Sequence, residues 1–170
     1  LRGLSALLWC PGRVAEAVQS GQEAVALLER LPPGHELAMA YSTVLRLSAL
    51  AEDDEAAVVW GTRAIELAQR LDDTEVLSHA QISIGAVEFL AGRPGGRQKL
   101  ERSLELAQQA GLHEHVGHAY QLLVRVALHH RSYALVNRYL EAGLEQCTEH
   151  GFDIMRLYLL AYRARTELDQ

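Results

Sequence analysis

The residue types best placed to do chemistry here are histidines paired with glutamates. Glu75 and His79 lie four residues apart, and Glu114 and His118 repeat the pair 39 residues further on. An i, i+4 pair shares one helix face, and packed helices sit roughly 8–10 Å apart, so four ligands for a zinc-type ion would converge if the two helices were neighbours. Duplication alone gives the same pattern, each pair then adding a few tenths of a kcal/mol to its own helix. His113, His115 and His118 start one predicted helix and His129 and His130 end it. About 16 Å of helix, at ~1.5 Å per residue, keeps those two groups from sharing one metal. Gly92-Arg93-Pro94-Gly95-Gly96 has no following Lys-Ser/Thr and no preceding strand, so it reads as a turn and not as a phosphate loop. No nucleophile, base and orienting group can be named together. The residues therefore assign no metal, no cofactor and no catalytic group, and the chain reads as non-enzymatic.

What would position such residues is a repeat. Arg63-Ala64-Ile65-Glu66-Leu67-Ala68-Gln69 returns as Arg102-Ser103-Leu104-Glu105-Leu106-Ala107-Gln108, and the same 39-residue offset carries Glu75, His79 and Ala80 onto Glu114, His118 and Ala119. An offset of 40 takes Val25, Leu27, Arg30 and Leu31 onto Ile65, Leu67, Arg70 and Leu71, and Leu100, Leu104 and Gly111 onto Leu140, Leu144 and Gly151. A period of this size marks stacked supersecondary units, which bury one core between neighbours and offer a surface for recognition. The units fall at 1–31, 32–72, 73–111, 112–151 and a partial 152–170, in a single repeat domain.

Each unit is helical. In 55–71 the residues Ala57, Trp60, Ala64, Leu67, Ala68 and Leu71 share a stripe, with Arg63, Glu66, Gln69 and Arg70 opposite. Ala, Leu, Glu, Gln and Arg dominate, and no strand-type run of β-branched residues occurs. Pro11, Pro32-Pro33 and Pro94 mark helix starts, Asp72-Asp73-Thr74 and Asp153 offer N-caps, and Gly34, Gly92, Gly111 and Gly151 mark ends. The acidic run Glu52-Asp53-Asp54-Glu55 reads as a solvated turn. Nine helices follow, over 1–9, 12–31, 34–51, 54–71, 74–91, 95–110, 113–130, 132–149 and 153–169. They alternate as first (A) and second (B) members of antiparallel hairpins. Gly61 falls inside a helix at a cost of about 1 kcal/mol against alanine, which predicts close helix approach there.

Composition bounds the partners. Of 170 residues, 49% are apolar and 22% charged, which suits a folded domain rather than a disordered one. A net charge of −6 disfavours the phosphate backbone of nucleic acid. No apolar run approaches the ~20 residues that span a bilayer, so no membrane partner is expected. Cys10 and Cys147 lie at opposite ends of the array and read as reduced thiols of a cytoplasmic protein. The chain lacks an initiator Met and stops at Gln170 within a helical pattern, which reads as a segment of a longer protein. A stack interrupted in mid-repeat leaves an apolar face at its end, so homo-oligomers through the array ends are expected.

The pattern resembles the tetratricopeptide repeat: His79-Ala80-Gln81-Ile82-Ser83-Ile84-Gly85 is similar to the A-helix signature ending in Leu-Gly, and Ala64 and Ala68 to the small residues of a B helix. The period of 39–40, longer than the usual 34, together with the segments RAIELAQRLDD, RSLELAQQAGL and FDIMRLYLLAYRARTELDQ, resembles the repeat region of large ATP-dependent LuxR-type regulators, the maltose-regulator-like group of bacterial transcription factors. That resemblance implies an all-α, right-handed superhelix of helical hairpins. In such regulators an ATPase domain precedes the repeats and a DNA-binding helix-turn-helix follows. ATP and DNA binding therefore do not belong to these residues.

By the same analogy the A helices line a concave groove. The positions carried over are Met39, Ser42 and Arg46; His79, Ile82, Ala86 and Phe89; His118, Gln121, Arg125 and Leu128; and Tyr158 and Arg165. Arg46, Arg125 and Arg165 form a basic ladder that either grips a carboxylate or phosphate or pairs with glutamates of adjacent helices. The expected role is recognition of a protein or peptide partner or of a small-molecule effector, as the sensor segment of a transcriptional regulator or as a stand-alone adaptor.

Overall fold

The computed structural model describes residues 14–169. The expected helix over 1–9, Pro11 and Cys10 lie outside them. Eight helices follow among the described residues, with no strand: α1 (Val14–Leu28), α2 (His35–Leu50), α3 (Asp54–Leu71), α4 (Thr74–Leu90), α5 (Gly96–Gln109), α6 (His113–His129), α7 (Tyr133–Glu149) and α8 (Asp153–Asp169). None is long and apolar enough to cross a membrane. The chain divides into two compact units, Leu1–Val87 and Glu88–Gln170, with the dividing point inside α4. Within each unit successive helices pack antiparallel.

One turn is used again and again. Glu52, Asp72, Gly92, Gly111, Arg131 and Gly151 all have φ between 53° and 70°, at intervals of about twenty residues. After each, the next amide donates to the carbonyl five residues back: Asp53 to Ser48, Asp73 to Ala68, Arg93 to Glu88, Leu112 to Ala107, Ser132 to Ala127 and Phe152 to Cys147, at 2.8–3.0 Å. This is the Schellman end, which satisfies orphan carbonyls and reverses the chain. Glycine fills three of the six sites. Glu52, Asp72 and Arg131 hold the left-handed conformation despite a Cβ, at roughly 1 kcal/mol each.

Caps set the starts. Asp53 Oδ1 accepts from the Ala56 amide and Asp73 Oδ1 from the Val76 amide, both at 3.0 Å. Asp53 is thus a cap and more than part of a solvated turn. Gly34, expected at a helix end, instead precedes α2 with an extended backbone (φ −153°). Asp153, expected as a cap, is the first residue of α8 and faces Arg156 at 3.6 Å.

In the first unit, α2 buries Leu37 through Ala40 and Ser42 through Leu45. Such a helix, apolar nearly all round, must be packed on several sides. One cluster joins Val25 of α1, Leu37, Met39 and Val44 of α2, Leu67 and Ala68 of α3 and Val76 of α4. A second joins Leu45, Ala57, Ala64, Ala80, Ile84 and Val87. The α3 stripe is buried at Ala57, Ala64, Leu67 and Ala68, whereas Leu71, at the mouth of a turn, is exposed. Gly61 explains itself: a Cβ there would lie 2.3 Å from Ile84 Cδ1.

The second unit repeats the plan. Buried side chains come from α5 (Leu100, Leu104), α6 (Val116, Leu123, Val126), α7 (Val136, Leu140, Cys147) and α8 (Leu159). Gly143 admits Tyr120 and Leu159, and Gly117 admits Met155. Burial raises the pKa of the Cys147 thiol, so it is a packing residue and not a reactive one.

Hydrogen bonds one period apart stitch successive repeats within each unit. His35 Nδ1 lies 2.6 Å from Asp73 Oδ2, and Ser42 Oγ 2.6 Å from His79 Nδ1. In the second unit His130 Nε2 lies 2.8 Å from the Phe89 carbonyl, and the Tyr139 hydroxyl donates to Glu101. Burial, then the Glu101 hydrogen bond and charge, push the Tyr139 phenol up to about 12.

The His35–Asp73 pair makes stability depend on pH. The hydrogen bond to Asp73 raises the His35 pKa above 6.5, against the opposing effect of burial. Burial pushes the Asp73 carboxyl up, but hydrogen bonds from Val76 and His35 outweigh it and hold the group below 3.8. A raised histidine contributes fully below about pH 6.5 and loses its contribution as pH climbs through the folded value; a depressed aspartate loses its own as pH falls through its folded value. The pair is therefore strongest between those limits. With the His35 side chain 43% exposed, solvent limits the effect to under about 1 kcal/mol. Urea unfolding at pH 6 and pH 8.5 should show the wild type losing more stability than His35→Gln over that interval. Equal losses would show that the pair contributes nothing.

Candidate functional site

The A-type helices α2, α4, α6 and α8 carry every expected groove residue, and burial sorts them. Met39, Ser42 and Ile82 are buried, as are Ala86 and Leu128. These small and apolar positions of α2, α4 and α6, which the analogy places along a groove, pack in the interior. Arg46, His79, Phe89, His118, Gln121 and Arg125 are half-buried, and Tyr158 and Arg165 are exposed.

In the first unit the structure brings Ser42 and His79 together, with Arg46 one turn beyond Ser42 on α2. A serine hydroxyl 2.6 Å from an imidazole is the contact that a nucleophilic hydrolase uses. Here Ser42 is wholly buried in mid-helix, out of reach of a substrate. The contact instead joins α2 to α4, and the Ser83 hydroxyl donates to the His79 carbonyl at 3.1 Å. Both His79 and Arg46 are engaged within the fold. Among the described residues no group of three or more His, Cys, Asp or Glu could hold a metal ion.

In the second unit the meeting point is Tyr162 of α8, which sequence reasoning missed. The charge of Arg125, the Tyr158 phenol, the Gln121 amide and the charge of Arg165 act on its hydroxyl, in that order. Burial raises the phenol's pKa, with Arg125, the Gln121 hydrogen bond and Arg165 pulling the other way. Arg165 also faces Asp169 on its own helix at 3.7 Å. Phe89 lies elsewhere: its ring stacks on His130 with centroids 5.5 Å apart. The basic ladder therefore splits into different fates: Arg46 is engaged within the fold, Arg125 is half-buried and Arg165 faces Asp169. A period-based reading could have found Tyr162, because it sits one helical turn beyond Tyr158.

No protein-family model matches this chain, and no curated protein does either.

Two further features escaped the sequence reading. Trp60, expected in the core stripe, is half-buried and sits 5.8 Å from the Tyr41 ring, with the Arg63 guanidinium over both rings at 5.0 and 5.8 Å. The Tyr41 hydroxyl donates to Glu29 at 2.9 Å, and Arg63 approaches the same carboxylate at 3.5 Å. This cluster is internally satisfied and ties α1, α2 and α3. At the α1–α2 corner an apolar depression of about 370 Å³ is lined by Leu28, Leu31, Pro32 and Leu37. Its polar rim residue His35 is already committed to Asp73.

Proposed function

We propose that this chain is a non-catalytic recognition module, the sensor or partner-docking segment of a bacterial transcriptional regulator. The observation that supports it is that A helices one repeat apart carry half-buried polar residues, His79 on α4 and Gln121 and Arg125 on α6. Period, all-helical hairpins and polar residues gathered on A helices are what a recognition stack requires. The period of 39–40 and the segments that resemble LuxR-type regulators supply the regulatory context. Binding to either unit would bias the regulator only through different affinity for its two states.

The test is made in the gene that encodes the chain, with transcription as the readout. His79→Ala, Gln121→Ala and Arg125→Met should each change the response at least about threefold, since a lost contact of ~1 kcal/mol is a factor of about five. Melting curves of the purified variants confirm that the fold persists. An unchanged response in all three would refute the proposal.

A second reading, a stand-alone adaptor for a protein or peptide, draws on α8. There Ile154, Leu157 and Leu168 are 72%, 61% and 87% exposed. Such an apolar stripe suits a partner helix.

A further inference from the structure

We infer that Tyr41, Trp60 and Glu29 form a seat for a guanidinium group, which the chain's own Arg63 fills and which a guanidinium-bearing ligand enters by displacing it. The seat rests on the recognition reading above and gives it one ligand class, on residues that the reading itself does not use.

The geometry is that of a cation site. The Tyr41 and Trp60 ring centroids stand 5.8 Å apart with the planes tilted by 32°, and Arg63 Cζ lies 5.0 Å from the Trp60 centroid and 5.8 Å from that of Tyr41. Glu29 closes one side, held there by the Tyr41 hydroxyl, which donates to its Oε1 at 2.9 Å. Two aromatic faces and a carboxylate suit a planar, weakly hydrated cation that stacks and forks, more than an ammonium that keeps its water.

The resident cation fits poorly. Tethered to α3 one turn beyond Trp60, Arg63 reaches Glu29 with a single nitrogen, Nη1, at 3.5 Å. A charge-assisted pair normally closes to about 2.7–2.9 Å, and a guanidinium fork uses both carboxylate oxygens. Here both contacts fall on Oε1, and among the described residues Oε2 accepts no hydrogen bond. With the two side chains 50% and 44% exposed, such a pair holds weakly. A guanidinium free of that tether can keep the ring contacts and bring a second nitrogen to Oε2.

Nor does the stack require this seat. One period on, the places of Glu29, Tyr41 and Trp60 are taken by Gln69, Gln81 and Lys99. Arg102, the counterpart of Arg63, turns to Glu105 on its own helix at 2.9 Å. The repeat is built there without the two rings and the carboxylate, so packing alone does not call for them in the first unit.

The probes are butylguanidinium, its neutral isostere butylurea, butylammonium, and the peptide acetyl-Gly-Arg-Gly-amide, each titrated calorimetrically into the 170-residue chain and its variants. Arg63→Ala, which vacates the seat, should bind butylguanidinium about fivefold more tightly than the wild type. Butylurea and butylammonium should bind that variant at least about fivefold more weakly than butylguanidinium. Adding Glu29→Gln to Arg63→Ala should remove about tenfold of the affinity, and adding Trp60→Leu severalfold. Should the Trp60 variant fail to fold, Glu29→Gln, at a side chain 44% exposed, decides the matter. Tighter binding of the peptide would assign the guanidinium to a partner's arginine, and tighter binding of butylguanidinium to a free effector; both support the seat. Equal binding of butylurea, no gain on Arg63→Ala, no loss on Glu29→Gln, or no binding to Arg63→Ala at roughly 10 mM would each overturn the inference. Such a failure strikes the seat alone, because the transcription tests above use residues of α4 and α6.

Discussion

Gly96→Ala should cost the second unit about 3 kcal/mol or more and lower its melting temperature by on the order of 10 °C. A Cβ at this position would lie 2.4 Å from the Phe89 nitrogen, 2.6 Å from the Glu88 carbonyl carbon and 2.8 Å from the Phe89 Cα. All three are backbone atoms of the last turns of α4. No rotamer change relieves the contact, so α5 must shift away from α4 as a body. The better helix propensity of alanine returns at most about 1 kcal/mol. Gly95 is the control. It has φ +86° and nothing within 4 Å of a Cβ, so Gly95→Ala suffers only the left-handed backbone penalty of about 1 kcal/mol. Adjacent glycines are thus required for different reasons, and thermal denaturation should separate them. Similar melting temperatures for the two variants would show that the α4–α5 approach is looser than the structure indicates.

Much of the architecture was legible because the physics behind it is local. The helix from Asp54 to Leu71 matches the range read from its apolar stripe, and the other described helices agree to within three residues at each end. Left-handed turns were legible where glycine marks them, at Gly92, Gly111 and Gly151. They were not legible at Glu52, Asp72 and Arg131, where side-chain identity gives no hint and the Schellman geometry is imposed by packing of the flanking helices. The same distinction governs the site. Periodicity placed Arg46, Arg125 and Arg165 at equivalent positions, yet one is engaged within the fold, one faces Asp169 and one has no acidic partner among the described residues. Equivalent positions share backbone geometry, not neighbours. The burial of Met39, Ser42 and Ile82 was not legible for a related cause: the analogy supplies a face, but the number of helices covering each A helix decides what reaches solvent.

A unit built this way should be unusually intolerant of truncation at a large interior side chain such as Leu45. Leu45 is fully buried, and the residues of its cluster include Ala57, Ala64 and Ala80, with Gly61 of α3 close by. Those alanines have no side chain that can swing into a void, which leaves Ile84 and Val87 as the larger neighbours in the cluster, and the helices are held by the period-spaced bonds His35–Asp73 and Ser42–His79. Leu45→Ala should therefore leave a cavity that barely collapses, at a cost near the upper part of the ~2–5 kcal/mol range for such truncations. Gly61→Ala is not a remedy, although Leu45 Cδ2 is 3.3 Å from the new Cβ, because the Ile84 side chain blocks it at 2.3 Å. The added methyl strikes Ile84 whether or not Leu45 is shortened. The double variant should be less stable than Leu45→Ala alone by roughly 1 kcal/mol or more. Leu27→Ala, at a residue 52% exposed, should stay within about 0.5 kcal/mol of the wild type. Urea titrations of the four proteins provide the measurement. A loss below about 1 kcal/mol for Leu45→Ala would mean that the helices can close over the gap, and that small residues at the interface give the stack freedom to slide rather than rigidity.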